Sequence, residues 1–455
     1  MEEVSSGDTA WVLASTSLVL IMTPGLAFFY GGLVRGTNVV NTMMMSIISM
    51  GIIPIVWLVV GFSLSFGSGG GPIIGDFNYV GLWEIHDKVW PDTSLPTLVF
   101  AAYQMGFAII AAAIISGAVV ERMRFSAYAV FIMLWSILVY APVCHWVWGP
   151  GGWIHAMGAK DFAGGTVVHE TTAVSALVLC VLLGPRAHHG EGVEPHNVPF
   201  VILGAALLWF GWSGFNGGSA LAADWNAALA VINSYEAAAA SLVTWTVLER
   251  FHLKRYSAVG TVTGAIVGLV IITPAAGYVT PVGAVLMGVI GCVFVYPSFQ
   301  VSHAKVDDSL DAFPCHGVSG FVGTVLTGLF DVEGGLFYGG GWHLLGVQVV
   351  AGLATAAYAA IVTVIIFCAL RLCMHVRVPE DMEFEGLDTG LHGYPAYGKH
   401  APDNDGGAPK SSLTTPPPNS SGVAIETARA GSDHREDERM QEEGSGAGLQ
   451  LAREP

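Results

Sequence analysis

Long apolar runs separated by short polar connections fill the first 375 residues. Eleven runs approach the roughly 20 residues that a helix needs to cross a bilayer. They span about 10–31, 40–65, 97–119, 126–146, 162–183, 197–216, 221–247, 258–274, 279–298, 313–331 and 342–374. The last is long enough to tilt or to run on past the membrane. The predicted fold is an all-α membrane protein with eleven transmembrane helices.

The basic residues orient these spans. One set of connections holds Arg35, Arg122, Arg124, Arg186, Arg250, Lys254, Arg255, Lys305, Arg371 and Arg377, whereas the other holds only Lys88 and Lys160. Lysine and arginine concentrate in cytoplasmic loops, so the N-terminus is expected outside and the C-terminus in the cytosol. That arrangement requires an odd number of spans. The opening Met-Glu-Glu-Val-Ser-Ser-Gly-Asp has no positive segment, so the first run reads as a retained span and not as a cleaved signal.

Runs 5 and 10 share a pattern. Each follows an aspartate and carries a histidine: Asp161-Phe-Ala-Gly-Gly-Thr-Val-Val-His169 and Asp311-Ala-Phe-Pro-Cys-His316-Gly. Two five-helix halves follow, with the eleventh helix outside the repeat. Because five is odd, the halves are inverted, an arrangement that places a substrate path at their interface. Ionisable groups within spans are costly and tend to line cavities or proton paths. The two histidines therefore point to a pore or transporter whose substrate exchanges protons.

Composition agrees. Of 455 residues, 53% are apolar and 12% charged, with a mean hydropathy of +0.59; soluble chains carry about a quarter charged residues. The 58 glycines suit close helix packing in lipid. Cys144, Cys180, Cys292, Cys315, Cys368 and Cys373 are scattered and form no disulfide framework. Net charge is −17, and no basic stripe supports nucleic-acid binding. No nucleophile–base set or cofactor loop suggests an enzyme. The glycine clusters at 68–71 and 338–341 fit no phosphate-binding pattern.

Three regions emerge: 1–374 as the membrane domain, 375–398 as a cytosolic segment, and 399–455 as a disordered acidic tail. The tail carries Thr414-Thr-Pro-Pro-Pro and a charged run from Asp433 to Glu443. Its serines and threonines could accept phosphate, which leaves room for a cytosolic kinase or regulatory protein as partner. Asn419-Ser-Ser matches a glycosylation sequon, but on the cytosolic side it would be silent.

Further motifs fall in a fixed order: Gly25-Leu-Ala-Phe-Phe-Tyr-Gly-Gly-Leu-Val-Arg35, Glu121-Arg-Met-Arg-Phe125, the Asp161–His169 segment, Gly211-Trp-Ser-Gly-Phe-Asn216, Asp307-Asp-Ser-Leu-Asp-Ala-Phe313 with His316, and Glu385-Gly-Leu-Asp388 with His392. With these, residues 8–398 resemble the ammonium transporters of the Amt/Mep/Rh superfamily, on the Amt/Mep branch. The resemblance implies a plasma-membrane homotrimer with one pore per subunit, acting on ammonium or ammonia, with methylammonium as an analogue. It also implies that Trp148, Phe107, Phe215 and Ser219 form an outer recruitment site and gate. Trp148 would offer its ring face to the cation and Ser219 an acceptor oxygen, and Phe107 and Phe215 would close the pore below. Asp161 would shape the vestibule, and as a residue it also reads as a helix N-cap. His169 and His316 would be a mid-pore pair sharing a proton. Ammonium would be deprotonated near the gate and cross as ammonia, with or without a separate proton relay. Zinc is the competing reading of the histidines, but even with Cys315 nearby the ligands are too few.

Two glutamates depart from the family pattern: Glu170, next to His169, and Glu236 in run 7. Glu170 reads either as a packing residue or as part of an altered proton path or subunit contact. Gly390 stands where some relatives carry a regulatory threonine, with Thr389 one place early. His188-His189 reads as a solvated pair. Two other functions stay open: a neutral-gas channel of the Rh type and an ammonium sensor.

Overall fold

The structure is a computed structural model that describes residues 4–83, 85–189 and 194–398. The expected tail, with its sequon and its charged run, lies outside the described residues. Among these the fold is all-helical, with no strand and only two isolated bridges, Val89–Pro96 and Met123–Arg377.

Among the described residues, ten helices are long and apolar enough to cross a membrane: α1 (Ser6–Leu33), α2 (Val39–Phe66), α3 (Thr97–Val119), α4 (Phe125–Ala156), α5 (Gly165–Leu183), α6 (Val198–Ala220), α7 (Trp225–Leu253), α9 (Pro281–Lys305), α10 (Phe313–Phe330) and α11 (His343–Cys373). The predicted eighth run forms α8 (Ala258–Ile272), an apolar helix of 15 residues. At 1.5 Å per residue it is only about 22 Å long, and residues 264–272 are all buried.

The helix starts follow from their capping side chains. Ser5, Asn197, Asp224, Ser257 and Thr280 each accept a backbone N–H in the first turn of α1, α6, α7, α8 and α9. Each bond satisfies a donor that the helix itself leaves unpaired. Helices α1 and α6, the first of each predicted half, cross closely. A Cβ on Gly204 would lie 2.2 Å from the Phe29 backbone nitrogen, so only glycine permits this approach. The outward surface is apolar, as lipid requires, and exposes Phe210, Phe294, Ile361 and Ile365.

The 375–398 segment docks on the turn between α1 and α2. Leu387 N–H donates to Asn38 Oδ1 at 2.7 Å, and the Asp388 carboxylate accepts the Asn41 N–H at 2.8 Å. Gly386 has φ +102, and a Cβ there would lie 2.3 Å from Thr37. Arg377 pairs with Glu383 at 2.6 Å.

Candidate functional site

Helices α5 and α10 begin alike. Each opens with a π-helical turn, Gly165–Glu170 and Phe313–Val318, that contains its histidine. Such turns are rare and often sit at functional sites. Asp161 drives the first: its two carboxylate oxygens accept the N–H groups of Gly164, Gly165, Thr166 and Val167 at 2.7–3.1 Å. The expected cap is thus present, widened to four donors. In α10 the capping carboxylate is Asp308, which accepts from Ala312 and Phe313 at 3.1 and 2.7 Å. Asp161 and Asp308 each precede their histidine by eight residues. The repeat read from the sequence paired Asp161 with Asp311 by position. Asp311 instead takes a left-handed backbone (φ +57), as Gly164 does (φ +107), each five residues before its histidine. Its carboxylate lies 2.7 Å from His303 Nε2.

The two π-turns bring His169 and His316 together. Their Nδ1 atoms are 3.2 Å apart and their ring planes differ by 14°. At that distance one Nδ1 donates and the other accepts. His169 also lies parallel to Trp212, with centroids 5.4 Å apart and planes 17° apart. Trp212 is fixed by its N–H, which donates to Thr273 Oγ1 at 3.0 Å.

A column of rings leads away from the pair. Phe215 lies 5.7 Å from His169, Phe107 lies 4.3 Å from Phe215, and Trp148 meets Phe107 edge-on at 6.0 Å. Trp148 Nε1–H donates to the Asp161 carbonyl at 2.7 Å, so the residue that caps α5 also aims the indole. Trp148, Asp161 and Ser219 line a vestibule of about 370 Å³. Ser219 donates to the Phe215 carbonyl at 2.9 Å and lies 3.2 Å from the Tyr103 hydroxyl. Beside the histidines lies a separate small cavity of about 10 Å³, room for about one water. Met22, Leu26, Ile110 and Leu208 supply its apolar wall. Beyond His316, next to Cys315, a cavity of about 470 Å³ opens among Asp308, Asp311 and His303.

Of the seven residues singled out from the sequence, Trp148, Phe107, Phe215, His169 and His316 form the ring column, and Asp161 and Ser219 line the vestibule with Trp148. Sequence reasoning missed Gln104, whose Oε1 is buried without a partner in the wall of the vestibule. It also missed Trp212, Tyr103 and Asp308. Trp212 and Asp308 lay inside motifs already noted, but nothing in their spacing marked them.

A family model described as the Ammonium Transporter Family matches residues 10–397. The chain belongs to that family. It is 45% identical over 401 residues to an ammonium transporter of Bacillus subtilis, covering 86% of this chain and 98% of the relative. Ammonium transporter 1 of Schizosaccharomyces pombe is 38% identical, with 96% and 90% covered. The crystal structure of Candida albicans Mep2 superposes with a TM-score of 0.79 at 34% identity, covering 84% of this chain and 88% of that one. This is a family of multi-pass membrane transporters, not of enzymes.

Glu170, one of the two departures from the family pattern, lines neither the vestibule nor the small cavity beside the histidines. Its carboxyl is buried, one oxygen lacks a partner, and the other faces Gly352 of α11. Glu236 is half-buried on α7, between exposed Ile232 and Tyr235 on one side and buried Ala237 on the other. Of the pair read as solvated, His189 is exposed, whereas His188 is half-buried. His188 Nε2 lies 3.1 Å from the Glu383 carbonyl, and His189 Nδ1 lies 3.2 Å from Asp307. Folding brings the 375–398 segment and the turn after α9 against this loop, which sequence separation hides.

Beside those histidines, Arg186 donates to Asp307 at 2.7–3.1 Å and pairs with Glu121. Burial alone would push the Asp307 carboxyl up, but the Arg186 hydrogen bonds and charge outweigh it and hold the group at about 2. Glu121 is lowered too, because Arg186 and Asn38 overcome its burial. Its neighbour Arg122 is fully buried and donates to the Asp307 carbonyl and to Ser309, both at 2.7 Å. These bonds tie α3, α5 and the turn before α10 together.

Proposed function

We propose that this chain takes up ammonium from outside the cell through a pore within each subunit. Ammonium binds in the vestibule against the Trp148 face, with Ser219 and Gln104 supplying acceptor oxygens. Potassium is of similar size but cannot donate hydrogen bonds, so acceptors beside a ring favour ammonium. The cation gives up a proton near Phe107 and Phe215, and ammonia passes the narrow segment beside His169 and His316. The proton follows by relay through the histidine pair or returns to the vestibule.

One observation carries this reading: the unbroken ring column from Trp148 to His316, with a polar vestibule at one end and, beside the histidines, a small apolar cavity with room for about one water. A cation is stabilised by desolvated aromatic faces, but a low-dielectric constriction penalises its charge heavily. That contrast supports recruitment of the cation followed by passage of the neutral molecule. The same reading puts the chain in the plasma membrane with eleven spans, the N-terminus outside, and three copies per assembly. A cytosolic regulator or kinase would act on the tail beyond residue 398. Sensing without transport has less support, since the curated relatives above are named transporters.

The test is substrate-induced current across a reconstituted bilayer, with ammonium and potassium side by side, alongside growth on ammonium of cells lacking their own transporters. Growth rescue with an ammonium response well above that for potassium supports the proposal. No rescue and no ammonium-dependent flux would overturn it.

A further inference from the structure

Lys160 stands directly before Asp161, in the connection that leads into α5. Its backbone is held at both ends by Gln348 of α11: the Lys160 N–H donates to Gln348 Oε1 at 2.8 Å, and Gln348 Nε2 donates to the Lys160 carbonyl at 2.7 Å. Its ammonium group donates to Asp331 Oδ2 at 2.8 Å and to Glu333 Oε2 at 2.9 Å. The same nitrogen lies 4.8 Å from the centre of the Tyr278 ring. Tyr278 lines the vestibule together with Trp148 and Ser219. A tethered ammonium thus occupies, at the rim of the vestibule, the surroundings that attract a free one: carboxylate acceptors and an aromatic face.

The geometry points to Lys160 as a positioning residue that sets how tightly the vestibule holds ammonium. Its fixed charge offsets Asp331, whose side chain is fully buried, and covers one face of Tyr278. The vestibule then holds its cargo weakly enough to pass it on towards Phe107. This inference rests on the reading of the vestibule as the ammonium entry site. Without the lysine charge, Asp331 and Glu333 would draw a cation to the rim. Fixed charges near a protein surface act across several ångströms with a strength that changes affinity about fivefold. Salt weakens the effect over a Debye length of about 8 Å.

The experiment uses the full chain in cells lacking their own transporters, with methylammonium uptake and ammonium-induced current as readouts. Lys160→Gln should lower the half-saturating concentration about fivefold, make potassium a stronger competitor, and lose most of this effect at high ionic strength. Lys160→Arg should stay close to the parent. Glu333→Gln removes a carboxylate that is 81% exposed, so folding is spared, and it should raise the half-saturating concentration about twofold. A purely structural ion pair would instead lower the amount of folded protein and the maximal rate. An unchanged half-saturating concentration in both Lys160→Gln and Glu333→Gln overturns the inference. If Lys160→Gln does not fold, Glu333→Gln decides alone. Trp148→Leu, run in parallel, separates the two claims. If it shifts affinity while the rim variants do not, only the role of Lys160 falls; if it is silent, the entry-site reading falls and the role of Lys160 with it.

Discussion

Nδ1 of His316 stands 3.2 Å from Nδ1 of His169, so the two rings hold a single proton between them. Neither ring can change its tautomer without the other. The pair acts as one unit, and residues that act as a unit give non-additive losses. His169→Ala and His316→Ala should each reduce ammonium-induced current by at least about tenfold, and the double variant should be little worse than either alone. Losses that multiply in the double variant would break the shared-proton account. The check is a double-mutant cycle on current in proteoliposomes.

Trp148 lines the vestibule and meets Phe107 edge-on. A desolvated ring holds a cation by about 2 kcal/mol. Trp148 is only half-buried, so about a tenfold rise in the half-saturating concentration is expected for Trp148→Leu. Selectivity over potassium should fall with it. Competition assays with methylammonium and potassium measure both, and unchanged values would remove the aromatic site from the mechanism.

Asp161 satisfies four backbone donors at the start of α5 and fixes Trp148 through its own carbonyl. Losing one helix cap costs about 1–2 kcal/mol. Asp161→Ala should cost at least that much, as a lowered midpoint of thermal unfolding in detergent. Asp161→Asn keeps acceptor capacity on one atom and should fall between the two. If alanine and asparagine are equally tolerated, the π-turn does not depend on the carboxylate.

Glu170 faces Gly352 across a helix contact and lies off the ring column. Glu170→Gln preserves size and should leave the transport rate within about twofold of the parent. Gly352→Ala should be more harmful, because the added Cβ would lie 2.8 Å from the Phe321 ring. A proton-current defect in Glu170→Gln would instead return the glutamate to the pathway.

The Arg186–Asp307–Glu121 cluster gives a pH dependence of defined sign. Asp307 and Glu121 titrate lower in the folded state than in the unfolded chain. Their stabilising contribution is therefore present above the ordinary carboxylate range near 4 and disappears as pH falls towards 2. Hydrogen exchange of residues 377–392 should accelerate across that window. Arg186→Gln removes the guanidinium shared by the two carboxylates, leaving Glu121 with Asn38 and Arg35 and Asp307 with His189, and should move the transition to higher pH. An unchanged acid profile in that variant would show that the pair does not hold the segment.

The sequence by itself determined the class of the molecule. Run length and apolarity are local properties, and the bilayer imposes them on each helix separately, so every span could be located, most to within a few residues, although α4, α7 and α9 run on well past the ends of their apolar runs. Even the 15-residue α8 was legible, because its run is apolar throughout. The cap at Asp161 was readable for the same reason, since donor and acceptor are at most six residues apart. Tertiary structure decided what no local spacing encodes. His169 and His316 are 147 residues apart, and only the packing of α5 against α10 brings their nitrogens into contact. The family resemblance named both, but not the Trp212 ring beside them or the π-turns that aim them. The choice of Asp308 over Asp311 as the second cap was likewise hidden, because two carboxylates three residues apart look alike until the backbone commits one of them to a left-handed turn. The same holds for Lys160, which reads as a lone loop cation until α11 and the Asp331 turn close around it.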